Sequence, residues 1–94
     1  MKSTIYEARI ERFKNVNGQC MLKLYLVEIE AYILLDIHDA LCETLGISNL
    51  SKRTLGKILY ALPKYLKVTR INGYWEMLNE RQVLSDYLSR ISID

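Results

Sequence analysis

The sequence predicts a mainly α-helical domain with one small β-hairpin (α+β), and three observations lead there. Leu55, Ile58, Leu59 and Leu62 recur at the i, i+3, i+4, i+7 spacing of an inward helical stripe. Residues 20–35 are apolar nearly all round, as a central core helix would be. Asn72-Gly73 stands between two β-rich runs, a strong signal for a two-residue type I′ hairpin.

The first segment, 4–16, reads as a helix. Thr4 and Glu7 have capping-box spacing, Tyr6, Ile10 and Phe13 lie at helical intervals, and Asn17-Gly18 supplies the stop. A second reading stays open, because Tyr6, Ala8 and Ile10 also alternate and Asn17-Gly18 could turn a hairpin into the strand-like CMLKLYLV. A helix over 20–35 would expose more apolar surface than a chain of 94 residues can cover. A homodimer is therefore expected, through 20–35 or through the last helix, 80–91.

Asp36 is placed to cap a short helix, with Asp39 near its positive end, Ile37, Ala40, Leu41 and Leu45 facing inward, and Gly46 as a left-handed exit. After the loop 47–50, Ser51 is the expected N-cap of a helix over 51–62. Pro63 ends it, because a residue before proline avoids helical backbone. Gly56, in mid-helix, costs about 1 kcal/mol relative to alanine; tight packing against the preceding helix is its first expected reason, and close approach to a DNA backbone the second. The hairpin over 66–78 should pair Ile71 with Tyr74, Arg70 with Trp75, Thr69 with Glu76 and Val68 with Met77. An Arg70–Trp75 stack is then within reach, with Trp75 otherwise serving in core or dimer packing. Asn79, with Gln82 at the capping-box position, opens the helix 80–91, whose stripe is Val83, Leu84, Tyr87, Leu88 and Ile91.

Half the residues are apolar and 26% are charged, which suits a single domain over 1–94 with its own core. Glu28, Glu30 and Asp36 break up the greasiest stretch, so no run reaches the ~20 residues of a membrane span. The first residues carry no signal-peptide apolar block, and a cytoplasmic location with no membrane partner is expected. Cys20 and Cys42 show no CxxC or Cys/His clustering, so two reduced thiols are expected, with no metal and no cofactor. Catalysis is not expected. His38 is the only histidine and stands at a helix start as an exposed or capping residue, Asp36, Asp39 and Glu43 read as a solvated acidic face, and no nucleophile elbow or P-loop is present. The seven tyrosines suggest RNA stacking, but their spacing does not gather them on one strand face as RNA-binding sheets require, so that reading is set aside.

Charge is unevenly placed along the chain. Between Glu43 and Glu76 there is no acidic residue, while Lys52, Arg53, Lys57, Lys64, Lys67 and Arg70 give +6; the remainder balances at −4, and the two make the net +2. Such asymmetry suggests a local footprint for a polyanion.

Short helix, turn, basic amphipathic helix, proline and hairpin follow one another over 36–78. The segment IHDALCETLGISNLSKRTLGKILYALPKYLKVTRINGYWEML resembles winged helix-turn-helix transcriptional regulators of bacteria and archaea. Its Ala40, its Leu45-Gly46-Ile47 exit and its Ser/Lys/Arg/Thr helix opening carry the likeness. The composition is also similar to that of compact regulators of archaeal viruses and plasmids. The resemblance implies a double-stranded DNA partner and a role in transcription, with helix 51–62 in the major groove and hairpin 66–78 as a short wing. Ser51, Lys52, Arg53 and Thr54 would then enter the groove, with Lys57 and Tyr60 further along and Arg53 reading guanine. Lys52, Lys57, Lys64 and Lys67 would hold phosphates, and Arg70 and Asn72 would reach out from the wing. Protein-binding modules on the same scaffold, including viral inhibitors, are the alternative.

Overall fold

Two Asn-Gly pairs organise this chain. In the computed structural model, which describes residues 4–92, Asn17 and Asn72 both adopt φ 51°, and Gly18 and Gly73 both adopt φ 83°. This is the left-handed backbone of a type I′ turn, whose twist matches that of the strands it joins. The elements run β1 (Ile5–Val16), β2 (Gln19–Leu26), β3 (Ala31–Asp36), α1 (His38–Leu45), α2 (Lys52–Ala61), β4 (Tyr65–Ile71), β5 (Tyr74–Met77) and α3 (Glu80–Leu88). All strand pairs are antiparallel, in the order β3-β2-β1-β4-β5. The sheet curls until its two edge strands, β3 and β5, come into contact.

The expected mainly α-helical fold with a small hairpin is therefore corrected: of the described residues, strand accounts for 42% and helix for 30%. Segments 4–16 and 20–35 are strands, not helices. In β2 the burial alternates, with Cys20, Leu22, Leu24 and Leu26 buried and Met21, Lys23 and Tyr25 between them partly exposed. A strand pair needs cover on one side of each residue, whereas an all-apolar helix needs it on every side. The run 20–35 is also cut by a turn at 27–30, where Glu30 takes φ 51°.

The helix-like spacing of Tyr6, Ile10 and Phe13 has a specific cause. Pairing of β1 with β2 shifts by one residue between Ile10 and Arg12. A bulge inserts an extra residue and reverses the phase of a strand. Phe13, opposite Leu22, thereby returns to the core side three residues after Ile10, imitating one turn of helix.

Strand conversion also removes the all-apolar helix over 20–35 as a dimer face, and leaves the expected alternative through 80–91 untouched. Leu22, Leu24, Leu26 and Leu35 are buried within one chain, against Ile37 and Leu41 of the α1 region, Ile58 of α2, Leu66 and Val68 of β4, and Leu84 and Leu88 of α3. Each such side chain contributes about 1.5–3 kcal/mol when fully buried.

Locally encoded elements follow expectation more closely. The Ser51 hydroxyl accepts the Thr54 N–H at 3.1 Å, capping α2, and Leu62 before Pro63 leaves the helix in extended backbone. Gly46 takes φ 68° at the end of α1. The β4–β5 register is the expected one at all four pairs. Two caps differ. The residue at the α1 N-cap is Ile37, with the Asp36 carboxylate accepting the His38 N–H at 3.2 Å. Asn79 before α3 is left-handed, not in the extended backbone of a capping residue, and makes no side-chain cap, while Gln82 donates to Asp86 one turn on, at 2.7 Å. No helix among the described residues is long and apolar enough to cross a membrane.

Candidate nucleic-acid interface

Helix α2 packs inward through Ile58, with Leu55 and Leu59 half-buried, and turns a cationic side outward. Ser51, Lys52 and Arg53 are exposed at its start, and Tyr60 is 94% exposed near its end. Lys57 lies between them, its ammonium donating to the Ser92 carbonyl at 2.7 Å. The helix carries no carboxylate. Thr54 is turned the other way: it is buried, and its hydroxyl lies 3.0 Å from that of Ser51.

Gly56 does not pack tightly against α1, contrary to expectation. A Cβ placed there would meet no described atom within 4 Å. The glycine instead opens a shallow groove of about 440 Å³ along Gly56, Lys57, Tyr60, Ala61, Ile91 and Ser92.

Of the remaining cations of the acid-free stretch, Lys67 and Arg70 lie on the sheet and not on α2. Lys64 follows the helix, with its ammonium 6.0 Å from the Tyr65 ring. Lys67 is exposed on β4 opposite Glu7. Arg70 and Asn72 belong to the far end of the molecule. Pairing of Tyr65 with Arg9 and Thr69 with Ile5 carries the hairpin tip past the first residue of β1. The start of α2 lies at the other end of that strand, where Lys52 and Leu55 share a cleft with Phe13, Lys14 and Gly18. Phe13 and Lys14 lie eight and nine residues along β1 from Ile5, roughly 26–30 Å, so the tip does not flank the start of α2. Arg70 is also engaged locally, with its guanidinium 5.7 Å above the Trp75 ring and donating to the Gly73 carbonyl at 3.4 Å. Trp75 is half-buried and edge-on to Tyr6 at 5.6 Å, consistent with its expected packing role.

The outer face of the sheet holds a constellation the linear spacing concealed. Tyr32 is opposite Tyr25, Tyr25 opposite Arg9, and Arg9 opposite Tyr65, so four adjacent strands place these side chains in one row. The Tyr25 and Tyr32 ring centroids are 5.0 Å apart, and the Arg9 guanidinium lies 4.9 Å from the Tyr25 ring. Glu11 holds that guanidinium at 2.7 Å and strengthens its grip on its proton. In the neighbouring row Lys23, between Leu34 and Arg12, sits 4.6 Å from the Tyr32 ring. Tyr25, Tyr32 and Tyr65, each on a different strand, thus gather on one face of the sheet, contrary to the expectation from their spacing. Strand parity would have found them once 4–16 and 20–35 were read as strands.

No family model matches this chain. No curated protein and no solved structure matches it either.

Among the described residues no group of His, Cys, Asp and Glu is arranged to hold a metal ion. His38 is half-buried, and its Nδ1 accepts the Cys20 backbone N–H at 3.1 Å, so it fastens two elements together. Cys20 and Cys42 are both free thiols.

Proposed function

We propose that this protein binds double-stranded DNA through the outward side of α2, as a regulator of transcription. The observation that carries the reading is the combination of exposed Lys52, Arg53 and Tyr60 on a helix without acidic residues, with an open centre at Gly56. A major groove admits one α-helix, and a helix without carboxylates approaches phosphates without repulsion. Arg53 reads guanine through its planar fork, while Lys52 and Lys57 neutralise phosphates and position the helix. Arg70 and Asn72, at the far tip, lie outside this contact surface. A homodimer reading two half-sites belongs to the same reading.

Selection of bound duplexes from a random pool, followed by salt titration of the winner, tests it. Expected are an enriched, pseudo-palindromic site and an affinity that falls steeply with salt. An Arg53→Glu protein that still binds the selected duplex with unchanged affinity would overturn the reading. A protein-interaction role is favoured by one separate observation, the half-exposed Val27 and Ile29 at the β2–β3 turn. It expects no duplex to be enriched and assembly to be lost on changing those two residues.

A further inference from the structure

We infer that the outer face of the sheet is a second binding surface, for single-stranded nucleic acid, built on the row Tyr32, Tyr25, Arg9 and Tyr65. It is a different surface from α2 and does not depend on the duplex-binding reading.

Chemical type is the first argument. Tyr32 is 58% exposed and Tyr65 is 42% exposed, so two aromatic rings offer stacking area to solvent. A base inside a duplex has its faces covered by its neighbours, whereas an unpaired base has both free to stack on an aromatic ring or a guanidinium plane. Adjacent strands lie about 4.8 Å apart, so Tyr25 and Tyr65, two strands apart, are separated by roughly 10 Å. That leaves room for one base against the Tyr32–Tyr25 pair and another against Tyr65, with Arg9 between them. Arg9 is suited to stacking rather than phosphate binding, because Glu11 compensates its charge while it lies over Tyr25.

Charge supplies the second argument. Arg12, Lys14 and Lys23 lie to one side of the row, and Lys67 lies to the other. The carboxylates of this face are Glu11, engaged by Arg9, Glu7 beside Lys67, Glu76 opposite Thr69, and Asp36 at the end of β3, with the Glu28 carboxylate accepting the Glu7 N–H at 3.4 Å. The cation excess therefore lies on the Lys23, Arg12 and Lys14 side of the rings, with Lys67 beside Glu7 on the other, and the phosphates of a strand crossing the row would pass over both. In the two rows that hold Tyr32 and Lys23, Leu34 is the one aliphatic side chain. A protein-docking face of this size would present an apolar centre with charges at the rim, and here cations and rings alternate instead. Rings and point charges touch base faces and phosphates, not the 2′ position of the sugar, so DNA and RNA strands should bind alike.

Fluorescence anisotropy with labelled oligo(dT) and oligo(rU) of about 12 nucleotides, at low salt, tests the inference. Binding to both is expected, within about threefold of each other and weakening as salt rises. Tyr32→Ala and Tyr65→Ala should each weaken it about tenfold, and Tyr65→Phe, which keeps the ring, should restore it. Arg12→Gln with Lys67→Gln leaves the rings in place and should flatten the salt dependence, which covers the case in which a tyrosine variant unfolds. Arg53→Glu, on α2, should leave oligonucleotide binding unchanged while abolishing duplex binding, so the two surfaces fail separately. Absence of binding to both oligonucleotides, or undiminished binding in the Tyr32→Ala/Tyr65→Ala double variant, would overturn the inference. So would a strong preference for one sugar.

Discussion

His38 Nδ1 accepts the backbone N–H of Cys20 at 3.1 Å, while the Cys20 carbonyl accepts the Ile37 N–H at 3.3 Å. Together the two bonds pin the start of α1 to the start of β2. Replacing His38 by Ala leaves the Cys20 N–H without its partner at a partly buried position, at a cost of about 1–3 kcal/mol. His38→Asn, whose amide oxygen can occupy the Nδ1 position, should recover part of that loss. Denaturant unfolding of the two variants beside the parent protein measures both numbers.

Burial pushes the Cys20 thiol up to about 11 from an ordinary 9.0, with Cys42 and Asp36 adding to the effect. An unfolded thiol ionises at the lower value, so the stability that the neutral buried thiol contributes is complete below about pH 9 and lost as pH climbs to about 11. Cys20→Ala should abolish that alkaline decline. A thiol reagent at mildly alkaline pH should modify the half-buried Cys42 first and reach Cys20 only on unfolding, which mass mapping would show.

Gly56→Ala should stabilise the protein. The helix interior is open at that position, so the substitution gains helix propensity of about 1 kcal/mol without a clash. For a domain of this size that corresponds to a melting temperature roughly 4–8 °C higher. If α2 enters a groove as proposed, the same methyl group should reduce duplex affinity, so calorimetry and a binding assay should move in opposite directions. A fall in melting temperature would mean that the position is covered.

Lys52→Gln and Lys57→Gln should each reduce the salt slope of duplex binding by about 1. Arg70→Ala and Asn72→Ala should leave affinity and slope as they are, because the hairpin tip lies at the opposite end of β1. The four titrations side by side distinguish a surface made by α2 from one that extends to the hairpin. Loss of duplex affinity in Asn72→Ala would bring the tip back into the interface.

The legible parts of this chain are those whose geometry is set by near neighbours. The cap of α2 needs only Ser51 and the N–H three residues on, its end needs only Pro63, and the β4–β5 register follows from Asn72-Gly73. Asn17-Gly18 carries the same turn signal, yet it was outweighed by a helical spacing that a bulge had produced.

Sequence alone determined the basic helix, its caps, the second hairpin and the acid-free stretch, because each rests on hydrogen bonds or charges a few residues apart. Only the tertiary structure decided that 4–16 and 20–35 are strands, since β1 becomes one by pairing with β4, whose Tyr65 lies opposite Arg9. That same long-range pairing separates Arg70 from Arg53 and brings Arg9, Tyr25, Tyr32 and Tyr65 into line. Which apolar residues are buried together is a property of the whole chain, and burial, not local propensity, chose between the two readings.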